Sequence, residues 1–370
     1  MKKSFLILWA AICLMACTQN TYNISGELSG SSRDSSYVYL TERVNREWIN
    51  LDSALIVDGK FELKGDADSV KVAYLRLQPK SGEESSDAFP FILEPGNITA
   101  HADSAEVFVI TGTEQNNVLN KYTIEINALR AKSDDLYTRS GAGTGPLTAD
   151  KKDSLDAGLK VYADEMKNIE KEYALQNVNK MAGTHIFMTT FYDYTVEEKE
   201  SLFALMNAKT KAIPRIAELI AATEVEKKTS KGQPYIDFSM TAPDGTTVKL
   251  SDYVGKTDYL LVDFWASWCP DCVASFPDLT AFYARNKGTG FDIVGVSLDD
   301  EKDRWIRGIE KHKLNWHHMS DLQKWSSQGA KLYAVNAIPA TVLIDRKGNI
   351  AGRNMELKEI QDLLNQIVTK

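Results

Sequence analysis

Two cysteines separated by two residues, Cys269-Pro-Asp-Cys272, follow an apolar run from Tyr259 to Trp265. At the start of a helix such a pair can close into a disulfide and reopen, passing electron pairs between dithiols and disulfides. The first sulfur faces the N–H groups and positive dipole end of the helix, which favour its thiolate. The second lies a turn deeper, shielded and suited to resolve a mixed disulfide. The spacing alone also fits half a zinc site or a covalent staple. A zinc site needs two further ligands, and His101, His185, His312, His317 and His318 offer no paired motif. His312, His317 and His318 read as solvated residues at a helix end. No metal and no cofactor is expected. A disulfide closing so short a loop would constrain the unfolded chain only modestly, which disfavours the staple.

Two acids flank the pair. Asp263 interrupts the run Tyr-Leu-Leu-Val-Asp-Phe-Trp six residues before Cys269. Burial in a central strand would raise its pKa; a strand-end acid with a water or lysine partner is the plainer reading. Asp271, between the cysteines, places a carboxylate beside the thiols and disfavours a second negative charge. That opposes the helix dipole, makes the dithiol less favoured and the couple more reducing.

The N-terminus carries an export pattern. Lys2 and Lys3 precede an apolar run from Phe5 to Met15, which is too short for a membrane-spanning helix and has the layout of a signal peptide, residues 1–16. Leu14-Met-Ala-Cys17 resembles the lipobox of bacterial lipoproteins, which implies lipid attachment at Cys17. Cys13 then falls in the discarded signal, so Cys269 and Cys272 remain as the only protein thiols. Thr18 is not the aspartate associated with inner-membrane retention, which favours the outer membrane and a periplasm-facing protein. The formal charge of −8, without basic–aromatic clusters, excludes nucleic acid as a partner.

Three regions support this chemistry. Residues 17–113 read as a β-rich, sandwich-like domain. Alternating runs recur at 37–40, 51–57, 60–63, 70–77, 89–93 and 107–110, with turn signals at Asp58-Gly59, Lys64-Gly65-Asp66 and Glu94-Pro-Gly-Asn97. Asp58-Gly59 predicts a hairpin. Residues 114–228 turn helical, as a spacer or dimerisation element, which leaves a homodimer open. Val118, Tyr122, Ile126 and Leu129 form one stripe, and Leu155, Leu159, Tyr162 and Met166 another beyond Thr148. Thr195-Val-Glu-Glu198 is a capping box opening a helix through Leu202 and Leu205. Phe187, Phe191, Tyr192 and Tyr194 read as interhelical core. Thr229 to Pro234 reads as a linker. Residues 229–370 then alternate strand and helix, giving an α/β domain with a mixed or parallel sheet. Expected strands are 236–238, 247–250, 259–265, 292–298, 341–345 and 350–353; helices are 269–285, kinked by Pro277, 302–313, 326–335 and 356–368.

This last region resembles the thioredoxin-like superfamily in its TlpA/ResA branch, over about residues 232–370. The likeness rests on Asp263-Phe-Trp-Ala-Ser-Trp-Cys-Pro-Asp-Cys272, on Phe276-Pro277, and on Ile338-Pro339-Ala-Thr before a strand ending Leu343-Ile-Asp345. The resemblance implies a thioredoxin fold and a thiol–disulfide oxidoreductase with Cys269 and Cys272 as its dithiol. It implies that Asp263 accepts the resolving thiol's proton, although many members of the branch lack an acid there. It implies that Pro339 is a cis-proline facing the dithiol and that the Ile338 backbone receives an extended substrate. Trp268, Pro270 and Asp271 complete the substrate-facing side, while Trp265 belongs to the core. Residues 17–113, through Asp52-Ser-Ala54 and Asp58-Gly-Lys-Phe61, resemble the β-rich domain of unknown function that precedes such domains in bacterial lipoproteins.

The expected partners are protein thiols and disulfides, an upstream membrane or periplasmic electron donor, and the membrane through the anchor. The competing readings are a thiol peroxidase, whose Thr-x-x-Cys pattern the chain lacks, and a binding lipoprotein whose redox domain is secondary.

Overall fold

The computed structural model describes residues 20–29, 33–44, 47–78, 87–102, 107–145 and 147–368. The signal segment and Cys17 lie outside the described residues. The chain divides into two compact units, one running through Asp193 and taking in Leu205–Thr210, the other comprising Tyr194–Ala204 and the chain from Lys211 onward.

The first unit begins with eight strands: β1 (Thr21–Leu28), β2 (Tyr37–Val44), β3 (Glu47–Leu55), β4 (Lys60–Asp66), β5 (Lys71–Leu77), β6 (Ala88–Leu93), β7 (Gly96–Ala102) and β8 (Phe108–Thr111). They make two four-stranded sheets, ordered β4-β1-β7-β8 and β3-β2-β5-β6. Alternation dictates the core: Ile24, Leu63, Ile98, Val38, Leu40, Leu75 and Phe91 are all buried. Asp58 and Gly59 do form a turn, with positive φ at both and Val57 and Lys60 bonded across it. The predicted hairpin is corrected, however, because β3 and β4 belong to different sheets. Ile56 still bonds to Ser36 beside β2, whereas Leu28 N–H of β1 donates to Gly59 O, so the turn carries the chain across the sandwich. β1 and β7 are additional to the expected runs. In β1 the pattern is broken by Gly26, where any side chain would collide with the ring of Phe61. In β7 the buried positions are filled partly by alanine, Ala100 and Ala102.

Helices α1 (Glu114–Ser140), α2 (Ala149–Gln176) and α3 (Met181–Thr190) follow. Gly141 ends α1 in the left-handed conformation. Tyr122 of α1 meets Tyr173 of α2 edge-on, and the Tyr173 hydroxyl donates to Glu125 at 2.9 Å. Phe187, Phe191 and Tyr194 are buried as expected, but Tyr192 is 58% exposed. It lies in the 3-10 turn Phe191–Asp193, where neighbouring side chains diverge.

Helices α4 (Val196–Leu205), α5 (Ala208–Lys211) and α6 (Pro214–Lys227) lead into the second unit. The capping box closes at both ends: Thr195 N–H donates to Glu198 Oε2 at 2.8 Å, and Glu198 N–H to Thr195 Oγ1 at 3.3 Å. Leu202 is buried, whereas Leu205, three residues on at the helix end, is exposed. The expected linker is pinned rather than free. Thr229 is fully buried beneath Arg353, and Gly232 and Gln233 exchange backbone hydrogen bonds with Ile350.

The second unit is an α/β domain around a seven-stranded sheet. Its strands are β9 (Ser239–Thr241), β10 (Thr247–Lys249), β11 (Tyr259–Trp265), β12 (Phe291–Ser297), β13 (His317–Ser320), β14 (Ala340–Asp345) and β15 (Ile350–Arg353), ordered β10-β9-β13-β12-β11-β14-β15. The helices are α7 (Pro270–Asn286), α8 (Lys302–His312), α9 (Gln328–Leu332) and α10 (Leu357–Val368). β11 runs parallel to β12 and antiparallel to β14, so the strand before the cysteines is central and buried. Residues 236–238, expected as a strand, precede β9 instead. His317 and His318 correct the helix-end reading: they lie on β13, and His318 is 4% exposed. Its Nε2 lies 3.0 Å from Leu314 O, and burial lowers its pKa to about 4. It is therefore neutral at pH 7 and donates through Nε2, its ring held against Trp265 and Trp316.

Candidate redox-active site

The dithiol stands where β11 ends and α7 begins. Cys269 is the N-cap of α7, Pro270 occupies the first turn, and Cys272 N–H points at Cys269 Sγ from 3.1 Å. That placement combines an N-terminal donor with the dipole's positive end at one sulfur. The two cysteines are joined by a disulfide, with Cα atoms 5.3 Å apart. Cys269 retains 4% exposure and Cys272 none. Pro270, Asp271 and Trp268 are exposed around them.

The loop carrying Cys269 is held from behind by a carboxylate that sequence patterning does not single out. Asp299 is fully buried; it accepts from Ser267 Oγ at 2.6 Å, from Ser267 N–H at 3.1 Å and from Ser297 Oγ at 2.8 Å. Leu298 N–H donates to Trp265 O at 2.8 Å, continuing the ladder one residue past the end of β12. The available signal is positional, since Ser297-Leu-Asp-Asp300 lies at the carboxyl end of a parallel strand, where α/β sheets collect functional groups.

Opposite the dithiol, Cys269 Sγ lies 3.6 Å from Ile338 O. The Ile338–Pro339 bond is cis, Pro339 is exposed and Ile338 half-buried. Cys269, Cys272, Trp268 and Ile338-Pro339 are thus brought to one end of the sheet. Trp265 is wholly buried and packs edge-on against Phe276 of α7.

Asp263 lies one strand-step pair before Trp265, opposite Gly295 on β12 and Thr341 on β14. It is 3% exposed, and among the described residues its Oδ2 has no hydrogen-bond partner. It lines a cleft of about 320 Å³ shared with Ser275, Leu279, Pro339, Thr341 and Asn354. Burial pushes its pKa up to about 7. Asn354, at φ 48°, exchanges hydrogen bonds with Thr341 and closes that side of the cleft. Among the described residues no group of three or more His, Cys, Asp or Glu side chains is arranged to hold a metal ion.

Comparison with known proteins follows the same division. Residues 22–119 match a family described as a domain of unknown function, DUF4369, and residues 231–353 match the AhpC/TSA family. The thiol-disulfide oxidoreductase ResA of Geobacillus kaustophilus is 32% identical over 114 residues, which is 31% of this chain and 63% of that protein. ResA of Bacillus subtilis is 28% identical over 121 residues, 33% of this chain and 65% of that protein. The chain therefore spans less than two thirds of these relatives. A solved thiol-disulfide oxidoreductase from Bacteroides fragilis is 28% identical, covering 36% of this chain and 99% of that one, with a TM-score of 0.34. The second unit thus carries a thioredoxin-like domain of the AhpC/TSA family, related to the ResA thiol–disulfide oxidoreductases, behind an N-terminal DUF4369 domain.

Proposed function

We propose that this protein is an extracytoplasmic thiol–disulfide oxidoreductase that reduces disulfides in other proteins. The observation that carries the reading is Cys269 at the N-cap of α7, paired with a fully buried Cys272 and facing the Ile338 carbonyl. The ResA relatives supply the reaction class. In the reduced enzyme, the Cys269 thiolate attacks a substrate disulfide. An S–S bond forms between Cys269 and the substrate, and the other substrate sulfur leaves as a thiolate. Cys272 loses its proton and attacks Cys269, closing the intramolecular disulfide and releasing the second substrate thiolate. Two electrons pass to the substrate, and an envelope dithiol donor restores the enzyme. Asp263, whose pKa burial raises to about 7, is the proposed acceptor of the Cys272 proton. Trp268, Pro270, Asp271, Ile338 and Pro339 form the proposed substrate-facing rim.

The test is capture in the full chain. Cys272→Ala should accumulate disulfide-linked complexes on non-reducing gels, and Cys269→Ala should accumulate none. Exchange activity that survives Cys269→Ala would overturn the assignment. A potential above about −150 mV in a glutathione titration would put the protein among strong oxidants and overturn the reducing direction. Asp271 is the residue expected to set that direction. A thiol peroxidase is the weaker reading, because Ala266 stands three residues before Cys269 in place of threonine.

The proposed location is the periplasmic face of the outer membrane, through lipid on Cys17. It is supported by Lys2, Lys3, the apolar run and Leu14-Met-Ala-Cys17. No helix among the described residues is long and apolar enough to cross a membrane. Metabolic labelling with radioactive palmitate should mark the wild type and not Cys17→Ala.

A further inference from the structure

Beside the dithiol stands an aromatic residue that the reaction as described does not use. Trp325 is 46% exposed and meets Trp268, itself 39% exposed, edge to face with ring centroids 6.1 Å apart. Trp268 immediately precedes Cys269, so the pair forms an apolar lip next to the attacking sulfur. Two exposed indoles in contact leave apolar faces in water, which costs free energy unless something covers them.

The local backbone holds Trp325 there at further cost. Leu322 and Lys324 both adopt left-handed φ, 57° and 48°, a conformation unfavourable for residues other than glycine. Such outliers persist where the surroundings over-determine them, and they gather at functional sites. The surroundings here are specific. Asp321 accepts from Gln323 N–H at 3.2 Å and from Gln328 N–H at 2.7 Å, and Ser320 Oγ accepts from Leu322 N–H at 3.1 Å. Residues 299 and 300 bracket the two indoles: Asp299 holds Ser267 beside Trp268, and Asp300 pairs with Lys324 beside Trp325 at 2.6 Å. One short segment therefore fixes both halves of the lip relative to Cys269.

We infer that Trp325 and Trp268 form an aromatic clamp that selects substrate polypeptides carrying an apolar side chain next to the target disulfide. The occupant is the substrate chain itself, because Trp268 directly precedes Cys269, whose sulfur lies 3.6 Å from the Ile338 carbonyl that the same chain must reach. Trp325 is a specificity residue and takes no part in sulfur chemistry. The inference rests on the oxidoreductase reading above.

The test uses the full chain, reduced and freed of reductant, mixed with two synthetic peptides that share one disulfide ring. One peptide has phenylalanine flanking the ring and the other serine. Second-order rates of peptide reduction are read for the wild type, Trp325→Ala and Trp325→Phe. The wild type should prefer the phenylalanine peptide about tenfold, the scale of one well-made apolar contact. Trp325→Ala should lose most of that preference, and Trp325→Phe should keep most of it. A wild type that reduces both peptides equally overturns the clamp and leaves the oxidoreductase reading standing. So does a preference unchanged in Trp325→Ala. A wild type that reduces neither peptide overturns both.

Discussion

The sandwich–helix junction of the first unit and the dithiol end of the second each bury a short polar side chain, and treat it oppositely. Asn116, 1% exposed, accepts from Ile92 N–H and donates to Ile92 O and Thr113 Oγ1, all at 2.8 Å. It ties α1 to β6 with its hydrogen-bonding capacity nearly spent. Asp263 is almost as buried and lines a cleft, yet its Oδ2 has no partner among the described residues. Just past the end of the neighbouring strand β12, Asp299 is again well partnered, by Ser267 and Ser297. Where a buried polar group serves architecture its partners are supplied. Where one is left short in an apolar setting, as Asp263 is, its pKa moves.

The strongest challenge to this contrast is chemical. Cys269→Ser should lower the disulfide-exchange rate by roughly a thousandfold or more, since no other described thiol faces Ile338. Single-turnover rates with a peptide disulfide check this, and substantial residual exchange would place the chemistry elsewhere.

Exchanging amide and carboxylate at the two buried sites should give opposite signs. Asn116→Asp should destabilise the first unit at pH 7 by about 3 kcal/mol, because a buried carboxylate would replace the donor to Ile92 O and Thr113. Asp263→Asn should stabilise the second unit by about 2–4 kcal/mol at pH 8. The sign follows from the raised pKa. The unfolded carboxyl ionises near pH 3.8 and the folded one near 7. The wild type therefore keeps its full stability below about pH 4 and loses this contribution as pH rises towards 7. The gain in Asp263→Asn should accordingly vanish below pH 4. Calorimetric transitions across pH 3.5–8 measure it, and a gain independent of pH would show that desolvation of the carboxylate is not its cause. If Asp263 is the proton acceptor, the same variant should also lose the pH dependence of the resolving step between pH 6 and 8.

The smallest effect concerns a helix end away from both sites. Thr195→Ala removes the side chain that accepts from Glu198 N–H and should cost about 1 kcal/mol, without altering exchange rates. A change in exchange rate would tie α4 to the chemistry.

Much of this was legible along the chain. The long apolar strand before Cys269, the capping box at Thr195 and the alternation of β2, β5 and β6 are local patterns whose physics lies within a few residues. Elements carried by other means were less legible. β13 reads as His-His-Met-Ser, and only the surrounding Trp265 and Trp316 make His318 a core residue. β1 hides behind Gly26, which is required by the ring of Phe61 on β4. Asp58-Gly59 announces a turn correctly, but which sheet each flanking strand joins depends on partners distant in sequence.

At the site, the residue types were enough to nominate Cys269, Cys272 and Asp263. Their spacing within one strand–helix segment is local, and a carboxylate inside an apolar strand must shift its pKa wherever that strand is buried. Tertiary structure alone decided that β11 is central, that Ile338 O comes within 3.6 Å of Cys269, and that Asp299 clamps the loop from another strand. It also brought Trp325 against Trp268 across 57 positions of chain. The reason is physical: hydrogen bonds and ring contacts between distant segments depend on how the sheet orders its strands, and no local periodicity encodes that order.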